Sequence, residues 1–222
     1  MQDDVMFHLS VMGNELLIQD KRLMRLEGCL REKQYTLRLY LENIKNYHNV
    51  SAILRTADAT GVLHVYYTLD GRLPVNDSIT CGAHKWILLE EVLDKKTFLE
   101  SMKENGYRIV VTALHPHAVD FKEIDYTGPI LIVMGNELDG VSDLVFEEAD
   151  IICKIPMHGM VQSLNVSVAA ALILYEAERQ RVAKGMYEIA QIPGELKGEL
   201  LRKWGLTDVL RKKARGRLKH LV

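Results

Sequence analysis

Short, continuously apolar segments alternate with helical patterns through the middle of the chain. The clearest is the run Ile130–Met134, which contains no polar residue. A strand of this kind is buried on both faces, as in a parallel sheet covered by helices. Alternation of leucines with Arg38, Tyr40 and Glu42 predicts a strand at 37–42, and further strand candidates lie at 63–68, 86–89, 108–114 and 151–155. Apolar residues three to four positions apart predict helices at 14–34, 49–60, 92–105 and 142–148. The pattern therefore predicts an α/β domain.

The segment 166–177 differs from the other helical patterns because it is apolar on nearly every side. Such a pattern predicts a helix that is enclosed by protein. Ser163 and Asn165 directly precede it, and both are favourable N-cap residues. The end of the loop would present free backbone N–H groups beside two hydrogen-bonding side chains, an arrangement that suits a polar ligand. A helix cap without any ligand explains the same pattern.

Two further polar segments stand where open α/β sheets place their ligands, after a strand or at the start of a helix. In the segment 48–55, Asn49 is expected to cap a helix, and Arg55 to emerge on its far side, free for a ligand or paired with Asp58. After the apolar strand, Gly135 and Gly140 permit a tight turn and close backbone approach to a ligand. This loop matches neither the G-x-G-x-x-G motif nor a Walker loop, so the sequence lacks the usual signatures of a dinucleotide or nucleoside-triphosphate site.

The composition is that of a globular protein, with 222 residues of which 48% are hydrophobic and 26% charged. No segment approaches the roughly 20 unbroken apolar residues of a membrane span, and the first residues lack the pattern of a signal peptide. We therefore expect a cytoplasmic protein without a membrane partner. The three cysteines are widely spaced and fit reduced thiols. His115 and His117 have no Cys or acidic partner at a ligand spacing, so no metal site is expected.

The formal net charge of -2 hides an asymmetry between the body and the tail. Residues 202–222 hold eight Lys or Arg against the single Asp208, so the tail carries +7 and the remainder -9. A basic tail on an acidic body indicates a polyanionic partner, most often nucleic acid, although a solvated helix end without a partner gives the same charge run.

Taken in order, three motifs resemble those of the SPOUT superfamily of methyltransferases, and most closely its TrmH branch, the tRNA guanosine 2′-O-methyltransferases. The motifs are the segments 48–58, 135–140 and 159–170, and the likeness covers about 17–187. The resemblance implies an α/β knot (SPOUT) fold with a deep trefoil knot, S-adenosylmethionine bound in the knot, and a homodimer in which two subunits form the site. One departure is Asn46-Tyr47, where the pattern has Lys-Pro.

The resemblance also divides the chain into three parts. It implies a basic helical N-terminal extension at 1–36, a SPOUT catalytic domain at 37–184, and a basic helical C-terminal tail at 185–222.

Positions in the motifs assign roles to individual residues by resemblance. The catalytic positions are Arg55, Asn49, Glu137, Ser163 and Asn165. The cofactor-binding positions are Thr112, Leu114, Gly135, Ile155, Met157, Ser163 and Leu164. The positions associated with tRNA are Arg25, Arg179 and Arg181.

The implied reaction is S-adenosylmethionine-dependent methylation of the ribose 2′-hydroxyl of guanosine-18 in the tRNA D-loop. The alternatives are 2′-O-methylation of another tRNA or ribosomal RNA nucleotide by the same chemistry, and a non-catalytic RNA-binding module. A nucleotide-dependent oxidoreductase would explain the sheet but lacks its glycine fingerprint.

Overall fold

The computed structural model describes residues 10–11, 14–15, 20–69, 80–136 and 138–214. Their contacts divide the chain into two units, one formed by 1–31 together with 192–222 and the other by 32–191. None of the helices in these ranges is long and apolar enough to cross a membrane.

The smaller unit contains an antiparallel strand pair, β1 (Ser10–Val11) and β2 (Asn14–Glu15), and most of helix α1 (Asp20–Glu32). It also contains the final helix, α6 (Gly194–Ala214). The prediction of a helix from residue 14 is wrong, because Asn14 and Glu15 pair with β1 instead of forming helical hydrogen bonds. Helix α6 lies within the predicted basic tail 185–222.

The larger unit is built on a sheet in which all strand pairs are parallel. Its seven strands, as far as the chain is described, are β3 (Gln34–Glu42), β4 (Val62–Thr68), β5 (Leu88–Glu91), β6 (Arg108–Thr112), β7 (Val119–Asp120), β8 (Ile130–Met134) and β9 (Ile151–Lys154). Their order is β5-β4-β3-β8-β6-β9-β7, so β8 lies between β3 and β6 although it follows β7 in sequence. The predicted parallel α/β architecture is confirmed.

Helices cover both faces of the sheet, as continuously apolar strands require. These helices are α2 (Tyr47–Ala59), α3 (Lys95–Glu104), α4 (Asp143–Glu147) and α5 (Val166–Ala183). One hydrophobic core joins the sheet to α2 and α5, and a second joins its other face to α3 and α4. The strand predicted at 86–89 begins only at Leu88, because Ala83–Trp86 forms a 3-10 turn.

Helix α5 is buried along one side only. Ala170, Ile173 and Leu174 are fully buried in the core. Val168, Leu172 and Tyr175 are 47%, 41% and 52% exposed, and their spacing of four and three residues places them along one helical stripe. The prediction of an enclosed helix is therefore correct for one face and wrong for the other within a single chain.

Near the end of α5, Arg181 is completely buried in the larger unit. Its guanidinium donates to the carbonyl oxygens of Tyr126 (2.9 Å) and Gly128 (2.8 Å). It also donates to Gln34 Oε1 (3.2 Å) and Thr36 Oγ1 (3.1 Å) on β3. Burial lowers the pKa of Arg181 to about 10, so it stays charged at neutral pH. Arg181 therefore fastens the segment before β8 to the start of β3 and is hydrogen-bonded inside the chain, whereas the contact with tRNA that the resemblance implies stays a prediction.

We expect Arg181→Met to lower the free energy of unfolding by about 2–4 kcal/mol, because buried acceptors lose a charged donor. Arg179→Met is the matched control, since Arg179 is exposed on the same helix and, among the described residues, pairs with Glu176 alone, so its loss should be far smaller. Urea denaturation followed by circular dichroism measures both. Equal losses in the two variants would contradict a structural role for Arg181.

Candidate active site

A cavity of about 470 Å³ lies at the carboxyl ends of β6, β8 and β9. In a parallel sheet these ends meet at one edge, so the loops that follow them are neighbours. The walls come from the loops after the three strands and from the first turns of α5, where Val166, Ala169 and Ile173 contribute. The volume falls within the roughly 300–1,000 Å³ usual for small-molecule sites.

The predicted cofactor residues come together in this cavity. They belong to four separate chain segments, and all seven are part of its lining: Thr112, Leu114, Gly135, Ile155, Met157, Ser163 and Leu164. Their shared location is a finding of the structure, while contact with a cofactor stays a prediction.

The loop 135–141 forms one wall and is braced from within. The backbone groups of Asn136 and Gly140 bond each other in both directions, at 3.0 and 3.1 Å. The side-chain oxygen of Asn136 accepts from the backbone N–H groups of Leu138 (2.8 Å) and Asp139 (2.7 Å). A Cβ atom added at Gly135 would lie 2.2 Å from the carbonyl carbon of Gly140. Glycine is therefore required at 135 by this close backbone approach.

Asn165 joins the third motif to the first. Its side-chain oxygen caps α5 by accepting from the backbone N–H of Ser167 at 2.9 Å, as the sequence predicts. Its Nδ2 donates to Oδ1 of Asn49 at 3.1 Å, and Asn49 is only 8% exposed in the first turn of α2. The two predicted catalytic asparagines are therefore hydrogen-bonded to each other.

The cap of α2 is Asn46, and the prediction of a cap at Asn49 is wrong. The side-chain oxygen of Asn46 accepts from the backbone N–H groups of His48 (2.9 Å) and Asn49 (3.4 Å). The helix begins at Tyr47, so Asn49 already lies inside its first turn, where its side chain accepts from Asn165. The departure from Lys-Pro in this segment thus supplies a capping residue.

The other predicted polar residues lie outside the lining of the cavity. Arg55 is exposed on α2 and, within the described chain, makes no hydrogen bond or ion pair. The alternative pairing with Asp58 is not formed, because Asp58 accepts from Lys33 at 2.7 Å. Arg25 is exposed on α1. Glu137 lies outside the described residues.

Arg179 is exposed near the end of α5 and forms two hydrogen bonds with Glu176, at 2.9 and 2.7 Å. The pair raises the pKa of Arg179 and lowers that of Glu176. The charge of Arg179 therefore lies at the surface, whereas the charge of Arg181, two residues later, is buried.

Comparison with known proteins assigns the chain to a family. The model of the SpoU rRNA Methylase family matches residues 36–175. The chain belongs to this family. It is 46% identical over 203 residues to the tRNA (guanosine(18)-2'-O)-methyltransferase of Aquifex aeolicus, over 90% of this chain and 96% of that protein. The resemblance to the TrmH branch of the SPOUT superfamily is thereby confirmed.

Solved structures in the SpoU family share the fold. The A. aeolicus TrmH/SpoU tRNA modifying enzyme superposes with a TM-score of 0.81 at 47% identity, covering 85% of this chain and 97% of that one. The SpoU methyltransferase AviRb from Streptomyces viridochromogenes, solved in complex with AdoMet, gives a TM-score of 0.61 at 26% identity, covering 68% and 62%.

The cavity of this SpoU family member also contains residues that the sequence analysis did not single out, among them Asp139, Lys154 and Cys153. Each is a sequence neighbour of a predicted residue or lies within a predicted motif, and that proximity was the available signal. Burial raises the pKa of the Cys153 thiol to about 12, so it stays protonated and packs as a small apolar group. Among the residues that the structure describes, no group of three His, Cys, Asp or Glu side chains could hold a metal ion.

We expect Gly135→Ala to be destabilising by about 1–3 kcal/mol, because the new methyl group would overlap the backbone at Gly140 and displace the loop. Gly128→Ala is the control, since nothing lies within 4 Å of a Cβ added there. Thermal unfolding of both variants tests the expectation. A melting temperature for Gly135→Ala equal to that of Gly128→Ala would show that the loop is not held as described.

Proposed function

We propose that the chain uses S-adenosylmethionine to methylate the ribose 2′-hydroxyl of guanosine-18 in the D-loop of tRNA. The observation that carries the proposal is the convergence of seven predicted cofactor residues on a single cavity. The A. aeolicus relative is named for this reaction, and AviRb was solved with the same cofactor.

The walls of the cavity suit this cofactor. Leu114, Ile155, Met157 and Leu164 offer aliphatic surface to cover an adenine ring, and the surrounding loops offer backbone groups for hydrogen bonds to its edge. The bound cofactor supplies an electrophilic methyl group on a sulfonium centre. Because the phosphate-free cofactor needs no glycine-rich phosphate loop, the absence of a Rossmann fingerprint from the sequence agrees with this ligand.

Arg55 is the proposed catalytic residue. A ribose hydroxyl is a weak nucleophile, so it must lose its proton as it attacks, and the developing negative charge must be stabilised. Since a guanidinium stays protonated in proteins, Arg55 is not the base. It binds the neighbouring phosphate and the developing oxyanion, and a phosphate oxygen or water accepts the proton. Its exposed side chain, without partners in the described chain, is available for this role.

The remaining predicted residues have supporting roles in the proposal. Ser163 shapes the cavity wall, and the bond between Asn49 and Asn165 fixes the loop that carries it. Glu137 anchors its loop or contacts the RNA. Arg25 and Arg179 are exposed and contact tRNA phosphates, which position an RNA without reading its sequence.

The active enzyme is proposed to be a homodimer whose two subunits form each site. Arg55 is not part of the cavity lining of its own chain, and this supports a site that a second subunit completes. The exposed apolar stripe of α5 at Val168, Leu172 and Tyr175 lies on the same helix as the cavity residues Ala169 and Ile173. Burial of this stripe between two copies would satisfy the apolar pattern of the helix.

The deep trefoil knot of the family belongs to the same proposal. The position of β8 between β3 and β6 supports it. Hydrogen bonds between α5 and the segment that precedes β8 also support it. Gln180 accepts from the N–H of Tyr126 and donates to the carbonyl of Ile124, both at 2.9 Å. In this scheme 37–184 is the catalytic domain, and the extensions 1–36 and 185–222 handle the RNA.

Incubation with tritiated S-adenosylmethionine and an unmodified tRNA transcript tests the proposed activity. We expect label in the RNA and, by mass spectrometry, a single 2′-O-methyl group at guanosine-18. The control transcript already carries that methyl group and should stay unlabelled. Methylation of another nucleotide, or of ribosomal RNA alone, would show that guanosine-18 of tRNA is not the substrate. Binding of RNA without any methylation would favour a non-catalytic RNA-binding module.

Arg55→Lys should lower turnover by about 10²–10³-fold, because an ammonium cannot reproduce the bidentate contact with a phosphate and an oxyanion. Cofactor affinity and the free energy of unfolding should stay unchanged, since the side chain of Arg55 contacts neither the cavity nor a partner in the described chain. Single-turnover kinetics and calorimetry provide the two measurements. Turnover near that of the unsubstituted enzyme would contradict the role given to Arg55.

Leu172→Asp should convert the proposed dimer into monomers, because a carboxylate in the apolar stripe of α5 would be buried without a partner. Leu93→Asp is the control, since Leu93 is 90% exposed and lies between β5 and α3. Light scattering coupled to gel filtration reports the mass of each variant. A dimer that survives Leu172→Asp would place the interface elsewhere.

A further inference from the structure

We propose that Glu42, the last residue of β3, is a positioning residue for the cofactor cavity. Its buried carboxylate fixes the position of the end of the loop 135–141, and this loop forms one wall of the cavity. Glu42 is not part of the lining, so it acts through the loop. The proposal rests on the function proposed above for the cavity.

The loop 135–141 needs an anchor at its end. Six of its residues line the cavity, so a shift of the loop changes the shape of the site. The bonds between Asn136 and Gly140 fix the loop's own conformation but not its position on the sheet. Its beginning is fixed because it follows β8 directly, and its end runs into Ser142 and the short helix α4.

Glu42 provides the anchor at Ser142, one hundred residues away in sequence. Its Oε2 accepts from the backbone N–H of Ser142 at 2.8 Å, and its Oε1 accepts from the hydroxyl of Ser142 at 2.6 Å. Glu42 is only 1% exposed. Although Ser142 is the N-cap of α4, its side chain makes no capping bond to the helix. Both donors of Ser142 are thus directed at one carboxylate.

Lys95 makes this buried carboxylate tolerable. Its Nζ donates to Oε1 of Glu42 at 2.6 Å and to the hydroxyl of Ser142 at 3.3 Å. An isolated carboxylate in the interior would be strongly unfavourable, whereas one with a cation and several hydrogen bonds is stable. The first residue of α3, the end of β3 and the start of α4 therefore meet at Glu42.

Substitution of Glu42 by Gln removes this anchor with little change in shape. The amide replaces one acceptor oxygen with an NH₂ group that cannot accept from Ser142, and Lys95 loses its counter-charge. The loop end is released, and the cofactor must then restore its position on binding. Because Glu42 contacts no reacting atom, the substitution should weaken binding of the cofactor and leave the rate of the reaction in the bound complex unchanged.

The test compares Glu42→Gln with the unsubstituted full-length protein and with Glu148→Gln. The control removes a different ion pair of α3, that of Lys103 with Glu148, the residue that follows α4, at 2.7 Å, which makes no bond to the loop. We expect Glu42→Gln to raise the Kd and KM for S-adenosylmethionine about tenfold, as loss of an outer hydrogen-bond partner does at metal sites, with kcat within about threefold. Hydrogen exchange at 138–142 should quicken in this variant alone.

A folded Glu42→Gln variant with an unchanged Kd would overturn the proposal, and so would a fall in kcat alone. If that variant does not fold, Ser142→Ala replaces it, because it loses the hydroxyl donor but keeps the backbone N–H. A rise in Kd of about threefold is expected there, and an unchanged Kd would again overturn the proposal. Failure of the unsubstituted protein to bind S-adenosylmethionine would instead contradict the proposed function and remove the basis of this proposal.

Discussion

The cavity depends on side chains that hold loops where the regular hydrogen bonding of the sheet has ended. A parallel sheet brings the carboxyl ends of β6, β8 and β9 to one edge, but the loops beyond them have no ladder to fix their positions. Bonds between distant segments supply what is missing. Asn165 holds Asn49 beside the third loop, and Glu42 holds Ser142 at the end of the second. In each bond one partner, Asn49 or Glu42, comes from a distant part of the chain that does not line the cavity.

Local patterns predicted the elements that depend on local physics. The strand Ile130–Met134 and the cap at Asn165 follow from apolar continuity and from the preference of asparagine at a helix start. The Asn46 cap was missed because Asn46 and Asn49 are both favourable caps near one helix start, and the local pattern does not choose between them. The start of α1 was missed because Asn14 finds its partner in another strand rather than in a helical turn.

Burial of a polar residue is set by its partners, which a pattern cannot show. Arg179 and Arg181 look alike in sequence, yet one is exposed and the other is enclosed by groups on segments up to 147 residues away. The same limit applies to α5, whose apolar pattern predicted complete enclosure although one chain covers only one of its faces. The site residues were identified through motifs of the family, and their convergence required the fold.

The central claim is that a preformed cavity between these loops holds S-adenosylmethionine. The most direct measurement is a pair of crystal structures, one without ligand and one with S-adenosylhomocysteine. We expect ligand density between Thr112, Gly135 and Leu164, with the loop 135–141 in the same conformation in both crystals. Density at another place, or a loop that takes this conformation only with the ligand bound, would contradict this claim.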